Sequence, residues 1–174
     1  MGSSSHEGKQ WIFDFLRAFN GSIKSILDLG AGSGTYQEIM SPVLPGTQWT
    51  AVEIFKPYID HFKLHSKYSK VYQADIRQFI PTENYDIVIA GDVLEHMTKA
   101  EAITVVTNHL PMCKHLIISI PIVKYPQGEF DNNPYQTHIK DDWSHAEVMS
   151  SFPNIQKFWN GPQIGVYVIR GYVV

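Results

Sequence analysis

The sequence predicts an α/β fold: a mostly parallel sheet with helices on both faces, finished by a C-terminal antiparallel hairpin. Three observations predict it. Short apolar runs rich in Ile, Val and Leu alternate with helix-period segments from Ser25 to Ile120. The first run ends in a glycine-rich turn, Asp28-Leu-Gly-Ala-Gly-Ser-Gly34, at the strand end where open sheets take their ligands. After Ile120 the alternation stops, and two strand-like runs flank the turn signal Asn160-Gly161-Pro162. The 174 residues are most simply one domain over 9–174, and 44% hydrophobic content is enough to fill its core.

Residues 1–8 are small and polar and predict a flexible N-terminal segment or lid. From Lys9 to Phe19, Ile12, Phe13, Leu16 and Phe19 fall at amphipathic-helix spacing, and Asn20-Gly21 reads as a C-cap pair. Strands are expected at Ser25–Leu29, Gln48–Ile54, Lys70–Ala74, Tyr85–Ala90 and Leu116–Ile120. Helices are expected between them. Tyr36–Met40 follows the glycine turn, and Pro57–Ser66 carries proline in its first turn. Lys99–Leu110 begins at Thr98-x-x-Glu101, a capping box. Residues 121–141 form a polar, aromatic loop longer than a connection needs. Trp143–Ser151 then reads as a helix, and Ile155–Trp159 and Ile164–Val174 as the final strands.

Composition excludes several classes. A net charge of −3 and a pI near 6.2 give no pull toward nucleic acid or anionic membranes. The single cysteine, Cys113, rules out internal disulfides and multi-cysteine metal sites. No apolar stretch approaches the ~20 residues of a membrane span. No hydrophobic signal segment is visible, so a cytoplasmic location is expected.

The glycine turn decides the cofactor. A dinucleotide fingerprint needs G-x-G-x-x-G, but the third glycine here comes one residue early and the fingerprint position is Thr35. Asp28 just before the loop would repel a pyrophosphate and suits a cationic amino group. D-x-G-x-G-x-G resembles motif I of the class I S-adenosylmethionine (SAM) dependent methyltransferases. Acidic residues then follow at successive strand ends: Glu53, Asp75 and Asp92. Each alone could be a helix cap; four in order extend the resemblance over Ser25 to Pro121. The resemblance implies a Rossmann-like, seven-stranded methyltransferase fold that converts SAM to S-adenosylhomocysteine. It implies Asp28, Gly30, Ala31 and Gly32 near the methionine end of SAM, and Glu53 with Ile54 at the ribose. Asp75 and Ile76 would meet the adenine, and Asp92 would form the floor below the methyl group.

Methyl transfer needs a nucleophile in line with the S–CH₃ bond and a place for its proton. His138, in the long loop, is the expected general base because its unperturbed pKa is nearest neutrality. Asn133-Pro134-Tyr135 lacks the second proline and the strand-four position of the nucleobase-methyltransferase motif, and reads as a turn. Asp92-Val-Leu-Glu95-His96 resembles the E-x-x-E-H metal site of small-RNA 2′-O-methyltransferases, with His138 or His145 able to close it. The first Glu is Asp here, and D-x-L-E-H is common in metal-free small-molecule methyltransferases, so no metal is expected. The expected reaction is O-methylation of a sugar, glycan or small hydroxylated metabolite. Two alternatives stand beside it: a metal-assisted RNA 2′-O-methyltransferase, and a SAM-binding partner or sensor without transferase activity. No basic stripe marks a nucleic-acid surface, and the oligomeric state is open.

Overall fold

The computed structural model describes residues 6–19 and 22–174. The expected C-cap at Asn20-Gly21 and residues 1–5 of the expected N-terminal segment lie outside the described residues. The strands, in chain order, are β1 (Ser25–Leu29), β2 (Gln48–Glu53), β3 (Lys70–Gln73), β4 (Tyr85–Gly91), β5 (Cys113–Pro121), β6 (Ile155–Asn160) and β7 (Ile164–Arg170). They form one seven-stranded sheet in the order β3-β2-β1-β4-β5-β7-β6. All pairings are parallel except those of β7, which runs antiparallel to both β5 and β6. The strand order reverses beside β1, which pairs β2 on one side and β4 on the other. That switch point opens the crevice where open α/β sheets bind ligands.

The period-2 alternation of strand side chains divides the core in two. Ile26, Trp49, Ala51, Ile87 and Ile89 face one side. They pack against α1 (Lys9–Arg17), α2 (Thr35–Met40), α3 (Lys56–His61) and α4 (Leu64–Lys67), through Ile12, Leu16, Tyr36, Met40, Ile59 and Leu64. Leu27, Leu29, Val88, Ala90, Leu116 and Ile118 face the other side. There they meet α5 (Lys99–His109) and α6 (His145–Ser151), through Ala102, Val105, Val106 and Val148. Each fully buried aliphatic side chain of this kind is worth about 1.5–3 kcal/mol.

The α5 capping box forms as expected. Thr98 Oγ1 accepts from the Glu101 N–H at 3.3 Å, and the Glu101 carboxylate accepts from the Thr98 N–H at 2.8 Å. Several boundaries differ from expectation. The helix expected over Pro57–Ser66 is two, broken at Lys63, which takes a left-handed conformation with φ 53°. The cause is spacing: Leu64 lies five positions after the buried Ile59, about 140° around a straight helix. The left-handed residue turns Leu64 and then Tyr68 back into the core, where both are buried. The helix after the long loop starts at His145, because Ser144 caps it by accepting from the Glu147 N–H; Trp143 is a buried core side chain instead. β7 ends at Arg170, short of the expected Val174, and β5 is longer than expected at both ends. Among the described residues no helix is long and apolar enough to cross a membrane.

Candidate active site

β1 delivers Asp28 and then turns at Gly30 with φ 71°. A Cβ on Gly30 would sit 2.4 Å from Val93 Cγ2, so the loop after β1 lies directly against the loop after β4. The Gly30 and Ala31 N–H groups both donate to the Val52 carbonyl, at 2.8 and 3.1 Å. Gly32 N–H donates to Glu53 Oε2 at 2.9 Å, and Phe55 N–H to Glu53 Oε1 at 2.8 Å. Glu53 thus ties the glycine loop to the end of β2 and keeps further lone pairs for a ligand. Burial raises its pKa above the ordinary carboxylate value. Asp28 is buried more deeply, and desolvation pushes its pKa up to about 7 although the Tyr68 hydroxyl donates to it at 2.6 Å. A buried carboxyl poised at neutrality gains most from a cationic neighbour.

At the end of β4, Gly91 admits the ring of Tyr36, whose atoms would lie 2.1 Å from a Cβ there. Asp92 follows with φ 53°. Its carboxylate accepts from Ser119 Oγ at 2.9 Å and from the buried Lys9 Nζ at 3.3 Å. The Lys9 ammonium also lies 4.7 Å above the Tyr36 ring centre. A 3-10 turn, Leu94–His96, comes next. Leu94 anchors it in the core, and Glu95 is 3% exposed. Burial, and secondarily the Asp92 charge, hold the Glu95 carboxyl well above the ordinary range.

The long loop folds back over this turn. The Ile139 and Lys140 N–H groups donate to the Glu95 carbonyl at 2.9 and 3.1 Å. His138 is thereby set beside His96, with ring centres 4.8 Å apart. His96 Nδ1 faces the Thr137 carbonyl at 3.2 Å, and His138 Nδ1 faces the Tyr125 carbonyl at 2.6 Å. A carbonyl only accepts, so each Nδ1 carries the proton and each Nε2 keeps its lone pair. Burial lowers both pKa values, that of His96 to about 4, so both rings are neutral near neutrality.

A cavity of about 310 Å³ joins these parts. Gly30, Ala31, Gly32, Asp92 and His138 line it, together with Glu95, His96, Tyr36, Tyr125, Gln127, Phe130, Gln136 and Gln163. Asp28 and Glu53 lie just behind the lining, hydrogen-bonded as described. Ile54, Asp75 and Ile76 are not part of it. Ile76 is buried in the core, and Asp75 is clamped by the Arg77 guanidinium at 2.6–3.0 Å, which holds its pKa below the ordinary value. His145 lies away from the cavity, 2.9 Å from the Tyr167 hydroxyl.

Lys9, Tyr36, Tyr68 and Ser119 were not expected in the site. Ser119 had a signal: it is the one polar residue in the apolar run Leu116-Ile-Ile-Ser-Ile120. The others depend on contacts between distant segments and carry none.

Residues 27–111 match the family described as a methyltransferase domain. Similar solved structures share the fold. The N-terminal domain of EvdMO1 with S-adenosylhomocysteine bound has a TM-score of 0.69 at 15% identity, over 97% of this chain and 83% of that one. The same domain, in the presence of S-adenosylhomocysteine and D-fucose, gives 0.68 at 16% over 98% and 85%. The mitomycin 7-O-methyltransferase MmcR gives 0.66 at 14%, over 94% of this chain and 54% of its own, so the chain spans about half its length. A search of curated proteins finds no match. The domain match covers just under half of the chain, and the fold around it is the one seen in structures that hold S-adenosylhomocysteine. The plantazolicin methyltransferase BpumL, at a TM-score of 0.68 and 13% identity over 95% of this chain and 82% of that one, is likewise in complex with S-adenosylhomocysteine.

Proposed function

We propose that the chain methylates a hydroxyl oxygen of a sugar, a glycan unit or another small hydroxylated metabolite. The observation that carries this reading is the make-up of the cavity's outer wall. Tyr125 and Phe130 are 46% and 40% exposed there, beside the amides of Gln127, Gln136 and Gln163. Aromatic faces suit the C–H faces of a sugar ring, and amides both donate to and accept from its hydroxyls. A structural neighbour crystallised in the presence of D-fucose and another named as an O-methyltransferase support the same acceptor chemistry.

The residues fit the cofactor. Gly30 has no room for a side chain, Asp28 awaits a cation, and Glu53 keeps lone pairs for a ribose diol. SAM supplies an electrophilic methyl on a sulfonium. Asp28 would hold its amino group, Gly30 to Gly32 would lie along its methionine end, and the nucleoside would extend beyond the cavity toward Ile54, Asp75 and Ile76. Asp92, fixed by Ser119 and Lys9, would form the floor. His138 activates the acceptor hydroxyl through its Nε2 lone pair.

The test is a turnover assay with purified chain, SAM and a panel of hydroxylated sugars and nucleotide sugars, following S-adenosylhomocysteine release. NMR then locates the methyl group. A methyl on oxygen is expected, and His138→Ala should cut turnover by roughly 10²–10⁴-fold with SAM affinity kept. A methyl on nitrogen or carbon in the preferred product would overturn the reading.

A further inference from the structure

We propose that Glu95, His96 and His138 bind one divalent first-row transition-metal ion; His138 Nε2 then serves the acceptor hydroxyl as a ligand of that ion, in place of acting on it as a free base. The inference goes beyond the hydroxyl-methylation reading and rests on it for the ion's role. One ligating atom from each of the three residues lies within 4.8 Å of the others. Both imidazoles have their Nδ1 protons committed to backbone carbonyls, the arrangement that fixes a metal-binding Nε2. Glu95 Oε2 is buried and has no hydrogen-bond partner among the described residues. A buried carboxylate oxygen left without a donor costs free energy that a cation would recover.

The donor set also selects the ion. Two imidazoles and one carboxylate suit Mn²⁺, Co²⁺, Ni²⁺ or Zn²⁺, whereas Mg²⁺ and Ca²⁺ prefer oxygen ligands throughout. Bonds of about 2.0–2.2 Å require the three atoms to draw together by an ångström or so. His138, on the loop, is the partner best placed to move. Asp92 is not a ligand in this arrangement, since Ser119 and Lys9 already occupy its carboxylate.

Three protein ligands leave open positions facing the cavity. An acceptor hydroxyl entering one of them becomes more acidic and loses its proton to solvent water. The oxygen lone pair then forms the O–CH₃ bond, the S–CH₃ pair returns to sulfur, and S-adenosylhomocysteine leaves.

The test needs no acceptor. Tag-free chain, stripped with chelator, is titrated with Mn²⁺ and followed by the loss of the free-ion EPR signal. Co²⁺ is added separately and its visible absorption recorded. Wild type should take one ion per chain, and His138→Ala and Glu95→Gln should each weaken binding at least tenfold. His145→Ala should leave it unchanged. His138 is half-exposed, so its variant is expected to keep the fold, checked by circular dichroism. Wild type that binds none of Mn²⁺, Co²⁺, Ni²⁺ and Zn²⁺, or a folded His138→Ala that binds as wild type does, overturns the proposal. Neither outcome touches the O-methylation reading, which fails instead on the position of the methyl group.

Discussion

Asp28 shows how one buried side chain ties the stability of the fold to pH. Its folded pKa, about 7, stands above the ordinary 3.8 because burial disfavours the charge. Between about pH 4 and 7 the folded chain therefore holds a proton that the unfolded chain has released. The stability this contributes is fully present below about pH 4 and lost as pH rises through 7. Unfolding in urea at pH 5 and pH 8 should show a fall in wild-type stability that Asp28→Asn reduces, by an upper bound of roughly 2.6 kcal/mol. An equal fall in the variant would mean that Asp28 is ionised throughout. The carboxylates at strand ends were legible in the sequence because type and position together mark them. Their partners were not. Tyr68 reaches Asp28 across 40 positions and Lys9 reaches Asp92 across 83, and no local pattern encodes such meetings.

Helix α1 is a covering element for one sheet face and also a source of charge for the site. Ile12 and Leu16 bury its apolar stripe, which the sequence showed, while Lys9 at its first turn enters the site, which the sequence did not show. Lys9→Met should cost roughly 1.5–3 kcal/mol by removing a charged hydrogen bond from Asp92, which keeps Ser119. Denaturant unfolding measures this; a cost below 0.5 kcal/mol would mean the pair is solvent-screened. Elements with periodic or capped sequences, such as β1, β4 and α5, appear where expected. The break at Lys63 was illegible because propensity favours continuing a helix there, and only the burial of Leu64 and Tyr68 reverses it. The sequence leaves both His138 and His145 able to close on Glu95-His96; the returning loop sets His138 beside His96 and leaves His145 away from the cavity.

The sheet as a whole makes the cofactor pocket a property of the folded state. A ligand that binds only that state at 100 times its dissociation constant adds about 2.7 kcal/mol. For a chain of this size S-adenosylhomocysteine should therefore raise Tm by roughly 5–10 °C, and NAD should not. A larger shift with NAD in a thermal melt would overturn the cofactor assignment. Strand count, hairpin and crevice were readable because alternation and the early third glycine are regular signals; the cavity's far wall, built from an irregular loop, was not. The carboxylate of Glu7 accepts from the N–H groups of Gln163 and Ile164, two residues that line the cavity. One wall of the cavity thus joins residues 156 positions apart in the chain. A chain emerging from the ribosome has its glycine loop early, but it cannot close that wall until β7 has left the exit tunnel. Synthesis therefore delays the enclosed cavity until β7 is free, and a chain truncated before residue 163 lacks part of the wall even if its first five strands pair.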